Sequence, residues 1–115
     1  MNSRELELAG KIVANLSDDL LKPVYRREPN RHPTRGHCYV ASEALWHLLG
    51  ARESGLLPWQ GGGHWWLVRV DSGERVDITA AQFPDGPPYH LGRRCAFLTK
   101  QPSKAQELMR RVADA

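Results

Sequence analysis

The chain has 115 residues, of which 41% are hydrophobic and 25% are charged, and its formal net charge is +3. This length and composition predict one globular domain over residues 1–115 with a single modest core. No apolar run reaches the length of a membrane span, and no Lys/Arg tract is long enough for a nucleic-acid-binding arm. We therefore expect neither a membrane nor a nucleic acid as partner, and the sequence leaves the oligomeric state open.

The N-terminal region has the pattern of an amphipathic helix. Apolar residues recur at intervals of three and four between residues 3 and 21, and Asn2 followed by Glu5 matches a capping box at the start. Pro23 is expected to end this helix. Residues 22–35 contain three prolines among polar residues, which predicts an irregular surface connector.

A second helix is predicted from Cys38 to Leu49, with Gly50 as its stop signal. Its apolar face consists of Ala41, Ala44, Leu45, Leu48 and Leu49. Cys38 lies on the same side of the helix as these residues, so its thiol should point toward the fold. Residues 51–63 contain Pro58 and three consecutive glycines, and we expect a loop or a short extended segment there.

A β-hairpin is predicted next. Residues 64–70 and 74–78 read as strands around the turn sequence Asp71–Gly73. Thr79–Gln82 has the capping-box pattern, which predicts a short helical turn after the second strand. The Pro/Gly-rich residues 84–92 are expected to form a loop.

The C-terminal region adds a short strand and a helix. Cys95–Leu98 is a short apolar run that predicts a strand, and residues 102–112 predict a helix that opens with a capping box. Its inward residues should be Ala105, Leu108, Met109 and Val112. The predicted fold is therefore α+β, with the Cys38 helix packed on a small antiparallel sheet and helices at both termini.

Cys38 is the candidate nucleophile because of its place at a helix start. The unpaired N–H groups and the positive end of the helix dipole favour a thiolate there. The backbone N–H of Cys38 can also point toward a developing oxyanion, and Gly36 allows a tight turn or a close substrate approach. The alternative is a buried cysteine that packs as a small hydrophobic residue.

His64 is the candidate general base. It follows three glycines, which leave open space beside it, and it opens a strand. His37 is a competing base because it is adjacent to Cys38, but neighbours at a helix start point in different directions, so His64 is favoured. An inert histidine at a strand edge is the alternative.

Asp77 is the candidate orienter of His64, and Gln82 is the second candidate. A two-residue turn at Ser72–Gly73 would put His64 and Asp77 on the same face of the hairpin but about 13 Å apart along it. A bulge or a wider turn is therefore needed if Asp77 is to reach the imidazole. Gln82 is nearer to His64 in that register, and its amide could hold the imidazole tautomer as an aspartate does. The alternative role of Asp77 is a strand-end turn residue, and that of Gln82 is the capping box.

Two neighbouring tryptophans suggest where a substrate would lie. Trp65 and Trp66 alternate faces of the strand, so one packs in the core and the other can line a groove near His64. We predict a substrate-binding set of Gly63, Trp65, Trp66 and Gln82. The paired Cys/His spacings of zinc sites and the glycine patterns of nucleotide sites are absent, so we expect no metal and no cofactor.

The expected redox state of the two cysteines depends on the cellular compartment of the protein. The first residues lack the pattern of a secretory signal, so we expect a cytoplasmic protein in which Cys38 and Cys95 are free thiols.

Four segments resemble the YunG-like family of small bacterial and phage proteins. They are Gly36–Ala41, Gly63–Trp66, Gly73–Thr79 and Gln82–Phe83, and the resemblance extends over about residues 30–112. The middle segments are also similar to the transglutaminase-like pattern, in which a histidine strand leads through a hairpin to Asp-x-Thr.

The resemblance implies a compact papain-like (transglutaminase-like) fold with Cys38, His64 and Asp77 as a catalytic triad. The expected function is a cysteine hydrolase that acts on an amide or ester bond, as a peptidase, deamidase or acyl transferase, with a protein or peptide as substrate. The alternative is a bacterial or phage protein-binding module that keeps this fold without turnover.

Overall fold

The computed structural model describes residues 1–97 and 103–114, within which the chain forms four α-helices and a four-stranded antiparallel sheet. The helices are α1 (Ser3–Ala14), α2 (Pro23–Arg26), α3 (Cys38–Leu48) and α4 (Ser103–Ala113). The strands are β1 (Leu56–Gly61), β2 (His64–Arg69), β3 (Arg75–Val76) and β4 (Arg93–Arg94), in the order β3-β2-β1-β4. The predicted α+β class is confirmed.

The N-terminal helix is shorter than its apolar pattern predicts. The capping box is present, since Asn2 Oδ1 accepts from the N–H of Glu5 at 2.9 Å and Glu5 Oε1 accepts from the N–H of Asn2 at 3.0 Å. However, α1 ends at Ala14, and Leu20 belongs to a separate 3₁₀ turn at Asp18–Leu20. Pro23 does not end a helix; it starts α2, a position that suits proline because the first N–H of a helix has no partner.

Residues 51–63, expected to form a loop or a short extended segment, contain an extended segment: β1 is one of the two inner strands of the sheet. Pro58 lies inside this strand. Its carbonyl accepts a hydrogen bond from the N–H of Cys95 at 3.1 Å, but a proline has no N–H with which to return a bond. The pairing of β1 with β4 therefore stops next to Pro58, and the strand tolerates proline there.

A two-residue turn joins β1 to β2. Gly61 pairs with His64, and the intervening Gly62 and Gly63 have φ values of 59° and 79°. Two consecutive positive φ values are the requirement of a type I′ hairpin turn, which explains two of the three consecutive glycines. The turn fixes His64 as the first residue of β2.

The sheet has two faces that are covered by different parts of the chain. Trp65 and Leu67 of β2 lie on what we call the helix face, which packs against α3. His64 and Trp66 lie on what we call the loop face, because side chains alternate along a strand. Residues 77–92 supply the aromatic side chains that contact the loop face.

The core lies between the helix face and the three longer helices. Its buried members are Ile12, Leu20, Ala41, Ala44, Leu45, Trp46, Leu56, Leu67, Val76, Phe97, Leu108 and Val112. The predicted apolar face of the second helix is largely confirmed, although Leu48 and Leu49 are only partly buried. Within the described residues no helix has both the length and the apolar character needed to cross a bilayer.

The C-terminal elements differ in position from the prediction. The short strand is Arg93–Arg94 rather than Cys95–Leu98, and Leu98 lies outside the described residues. Pro102, the predicted start of the last helix, also lies outside them. The helix itself is confirmed, with Ala105, Leu108 and Val112 buried and Met109 partly buried.

Glu43 is a carboxyl group within this core. Its side chain is fully buried in α3, and Oε2 accepts a hydrogen bond from the Tyr39 hydroxyl at 3.4 Å. Oε1 has no hydrogen-bond partner in the described part of the chain. Burial raises the pKa of Glu43 to about 7, and the hydrogen bond from Tyr39 opposes this only in part.

We expect Glu43→Gln to stabilise the protein at pH 8 by about 1–3 kcal/mol and to have little effect at pH 5. The folded-state pKa of about 7 lies above the ordinary value, so the neutral carboxyl stabilises the fold below pH 4.5 and this contribution is lost as the pH rises through 7. Urea unfolding at the two pH values measures the difference, with the exposed Glu7→Gln as control. An equal effect of Glu43→Gln at both pH values would contradict this account.

Candidate functional site

Cys38 is the first residue of α3 and is partly exposed, as predicted. The chain reaches this point through Gly36, whose φ is +83° and where an added Cβ would lie 2.7 Å from the Tyr25 ring. His37 is the N-cap, and its carbonyl accepts the N–H of Ala41 at 2.9 Å. The Cys38 Sγ lies 3.9 Å from the carbonyl oxygen of Gly63, so the start of α3 is next to the start of β2.

His64 and Asp77 form a buried pair. The His64 side chain is 1% exposed, and its Nε2 lies 2.6 Å from Asp77 Oδ2. The prediction that Asp77 rather than Gln82 contacts His64 is therefore confirmed. This contact fixes the orientation of the imidazole and leaves Nδ1 as the ring nitrogen available to another group.

The register of the hairpin explains how Asp77 reaches His64. Val68 pairs with Arg75, because the turn is wider than two residues and is closed by a hydrogen bond from the N–H of Arg69 to the carbonyl of Glu74 at 2.7 Å. Compared with the two-residue turn, β3 is shifted by two residues. Asp77 then follows the strand on the level of Trp66, a diagonal neighbour of His64 and within reach of its side chain.

The Asp77 carboxylate is held by two further residues. Its Oδ2 also accepts from the Tyr89 hydroxyl at 2.8 Å, and its Oδ1 accepts from the Thr79 N–H at 3.2 Å and the Thr79 hydroxyl at 3.4 Å. Sequence reasoning missed both residues. The Asp-x-Thr spacing is the signal for Thr79, because an aspartate side chain often bonds to the backbone two residues on. Tyr89 lies in the Pro/Gly-rich loop and has no local signal.

Aromatic rings hold the imidazole from both sides. Trp66 stacks on His64 with ring centroids 5.6 Å apart, and Phe83 meets it edge-on at 4.7 Å. Trp66 is only 1% exposed, so it packs beside the imidazole on the loop face. The prediction that Trp66 lines the substrate groove is therefore corrected.

Gln82 has a local structural role. The helical turn predicted after Thr79 is present at Ala80–Gln82, but the side chain of Thr79 does not cap it. Instead, Gln82 Nε2 donates to the Thr79 carbonyl at 3.1 Å. Gln82 therefore stabilises its own turn and is not among the residues that line the groove beside Cys38.

The charge state of His64 is set by opposing effects. Burial lowers the pKa of the ring, but the hydrogen bond with Asp77 and the nearby Asp77 and Cys38 side chains outweigh it and raise the pKa to about 9. The Cys38 thiol is thus near enough to act on the imidazole, although Nδ1 has no formed hydrogen bond to any described residue. At neutral pH the imidazole is therefore predominantly protonated.

His37, the competing base in the sequence analysis, has a different environment. Its side chain is buried and borders a separate polar cavity with Asp18, Glu28 and Arg31. Burial lowers the pKa of His37, and the nearby charge of Arg31 acts in the same direction. His64 contacts a carboxylate, whereas His37 makes no such contact with a described residue.

A groove of about 640 Å³ lies beside Cys38 on the helix face. Gly63 and Trp65, both predicted to bind substrate, line this groove together with Cys38. Its other apolar and aromatic lining residues are Leu20, Tyr25, Tyr39 and Val40. Trp65 is fixed against Tyr39 in an edge-on contact with ring centroids 4.7 Å apart.

Cys95 is separate from this arrangement. Both cysteines are free, so no disulfide joins Cys38 to Cys95. Cys95 follows β4 and is half-buried rather than fully buried, and burial raises the pKa of its thiol. Within residues 1–97 and 103–114, no group of three or more His, Cys, Asp or Glu side chains could hold a metal ion.

Comparison of the chain with protein-family models, with curated proteins and with solved structures gives no match. The site must therefore be interpreted from its own geometry: a half-exposed thiol at a helix start, an imidazole next to it, and a carboxylate behind the imidazole.

We expect Asp77→Asn to lower the pKa of His64 clearly from about 9, because burial is then opposed by Cys38 alone and no longer by the carboxylate. An NMR titration of the His64 ring signals measures this value. Asp71→Asn, which removes an exposed carboxylate from the hairpin turn, is the control and should leave His64 unchanged. A His64 pKa that stays near 9 in Asp77→Asn would show that another group holds the proton.

Proposed function

We propose that this protein is a cysteine hydrolase that cleaves an amide or ester bond with Cys38 as nucleophile, His64 as acid–base and Asp77 as the orienting carboxylate. The observation that carries the proposal is the 2.6 Å contact between His64 Nε2 and Asp77 Oδ2, made beside a partly exposed cysteine at a helix N-terminus. An activated side-chain nucleophile typically lies beside a base that a third group orients, and Cys38, His64 and Asp77 follow this order.

In the first step the Cys38 sulfur attacks the carbonyl carbon of the substrate. A new C–S bond forms, and the carbonyl π electrons move to the oxygen, which becomes an oxyanion. The oxyanion then collapses, the bond to the leaving amine or alcohol breaks, and His64 gives its proton to the leaving group. A thioester to Cys38 remains. The raised pKa of His64 supports a resting state in which the thiol proton already lies on the imidazole.

In the second step a water molecule attacks the thioester. His64, now neutral, accepts a proton from the water, the carboxylic acid product leaves, and the proton returns to the Cys38–His64 pair. If an amine or alcohol takes the place of water, the same sequence gives acyl transfer. A peptidase, a deamidase and an acyl transferase thus share these steps and differ only in the acceptor and the leaving group.

The backbone N–H of Cys38 is the candidate oxyanion donor. It is the first N–H of α3, and the first N–H groups of a helix have no acceptor within the helix. A donor that is already oriented toward the developing charge stabilises the transition state more than the ground state. The positive end of the α3 dipole acts in the same direction.

Asp77 is well suited to orient the imidazole because its own position is fixed. The hydrogen bonds from Thr79 and Tyr89 hold the carboxylate in place, and its charge stabilises the imidazolium. Thr79 and Tyr89 act through Asp77 and are therefore positioning residues.

The fold supports the same reading at a coarser level. A helix that begins with the nucleophile packs on an antiparallel sheet that carries the base and the carboxylate, in the chain order Cys, His, Asp. We propose a papain-like or transglutaminase-like arrangement on this basis, with membership of the YunG-like family and a cytoplasmic location as parts of the same proposal. Two free thiols suit a reducing compartment.

We expect Cys38 to react with iodoacetamide at pH 5.5, where ordinary thiols are protonated, because a protonated His64 stabilises the thiolate. Mass spectrometry follows alkylation at both cysteines, and Cys95 should label slowly because burial raises its pKa. In His64→Gln the rate at Cys38 should fall about tenfold or more at this pH. Equal rates at Cys38 and Cys95 would remove the basis for a catalytic thiol and favour the binding-module alternative.

We expect Cys38→Ala to abolish hydrolysis of 4-nitrophenyl acetate above the uncatalysed rate while it costs at most about 1 kcal/mol of stability, since a partly exposed thiol leaves little cavity. Spectrophotometric release of 4-nitrophenol and urea unfolding measure the two effects. Cys95→Ala is the matched control and should keep the activity. A loss of several kcal/mol in Cys38→Ala would mark Cys38 as a core residue.

A further inference from the structure

Among its described lining residues, the groove beside Cys38 carries positive charge without a carboxylate. Lys22, at the start of α2, and Lys104, in the first turn of α4, both line it, and none of its described lining residues is acidic. Neither lysine makes an ion pair or a hydrogen bond with a described residue. Within the described part of the chain, no carboxylate therefore competes with a ligand for the two ammonium groups.

Carboxylates compensate several arginines elsewhere on the surface. Arg31 pairs with Asp18, Arg35 pairs with Glu28 at 3.2 Å, and Arg69, Arg110 and Arg111 also contact carboxylates. Other arginines, such as Arg27 and Arg52, make no ion pair with a described residue. The groove that contains the candidate nucleophile thus carries a part of the excess positive charge of the chain.

The remaining walls of the groove are mostly apolar. Trp65 and Tyr39 form one aromatic surface, and Leu20, Val40 and Tyr25 add further apolar surface. A volume of about 640 Å³ is in the range that holds a ligand as large as a short peptide. A ligand that fits both features combines an apolar or aromatic group with at least one negative charge.

We propose that the substrate is an acidic peptide, in which a carboxylate side chain lies beside an apolar or aromatic residue near the bond that Cys38 attacks. This inference rests on the proposed hydrolase function. Lys22 and Lys104 bind the carboxylates, and Trp65 with Tyr39 receives the apolar residue. The two lysines therefore determine specificity and take no part in bond cleavage.

A first test compares iodoacetate with iodoacetamide as alkylating agents of Cys38. The two reagents share the reacting carbon and differ in charge. The measured quantity is the rate with iodoacetate divided by the rate with iodoacetamide, normalised by the same ratio for N-acetylcysteine amide. This normalised ratio should be about 3–10 at low ionic strength, because exposed charge pairs contribute at most about a factor of five each. It should fall toward 1 as salt is added.

The matched variants are Lys22→Ala/Lys104→Ala and Lys11→Ala/Arg52→Ala. Both pairs remove two positive charges, but neither Lys11 nor Arg52 is among the groove's described lining residues. The normalised ratio should drop severalfold in the first pair, to the value that the protonated His64 alone maintains, and stay at its original value in the second. Lys22→Glu/Lys104→Glu should lower it further.

A second test measures how peptides protect Cys38 from iodoacetamide, which needs no turnover. Acetyl-Glu-Phe-Glu-amide should protect at about a tenfold lower concentration than acetyl-Gln-Phe-Gln-amide, and Lys22→Ala/Lys104→Ala should remove the difference. Equal protection by the two peptides would overturn the proposal. Protection by phenylacetate as effective as that by the acidic peptide would show that the site takes a small acid, and the peptide assignment would then be wrong.

These outcomes are separate from a failure of the hydrolase proposal. If iodoacetamide does not react with Cys38 below neutral pH, the catalytic assignment fails together with the substrate that rests on it. If iodoacetamide reacts fast but the normalised ratio does not respond to the groove lysines, Cys38 keeps its assignment and the acidic-peptide inference is wrong.

Discussion

The buried hydrogen bond between His64 and Asp77 is the contact on which the candidate site depends. Burial alone would make His64 an ordinary neutral imidazole, and the carboxylate reverses this so that the ring holds its proton at neutral pH. Asp77 can have this effect only because Tyr89 and Thr79 hold it in position.

The position of the thiol depends on two short backbone features. Gly36 lets the chain turn close against Tyr25 before α3 begins, and the turn at Gly62–Gly63 brings the end of β1 to the start of β2. Cys38 and His64 are each the first residue of their element, so small loops rather than long strands fix their approach. The groove then opens on the helix face next to the thiol, while the imidazole is supported from the loop face.

Much of this arrangement could be predicted from the sequence, and the failures have physical causes. The helix start at Cys38, the hairpin and the choice of Asp77 follow from local patterns. The sequence left residues 51–63 open between a loop and an extended segment, because Pro58 normally argues against a paired strand. Only the tertiary setting of Pro58 at the end of the β4 pairing makes the inner strand β1 acceptable. The register was missed because turn composition does not fix turn length. Tyr89 was missed because a contact between distant loops leaves no sequence period.

The division of the sheet into two faces has a consequence for how such a protein can diversify. The proposed acid–base residues His64 and Asp77, with Tyr89 as their support, belong to the loop face and the segment that follows it, whereas the walls of the groove come from the helix side. In the proposed hydrolase, substitutions at positions such as Lys22 would therefore change what is bound without disturbing the His64–Asp77 contact. A scaffold of this kind separates recognition from chemistry, so new specificities can arise through surface changes alone.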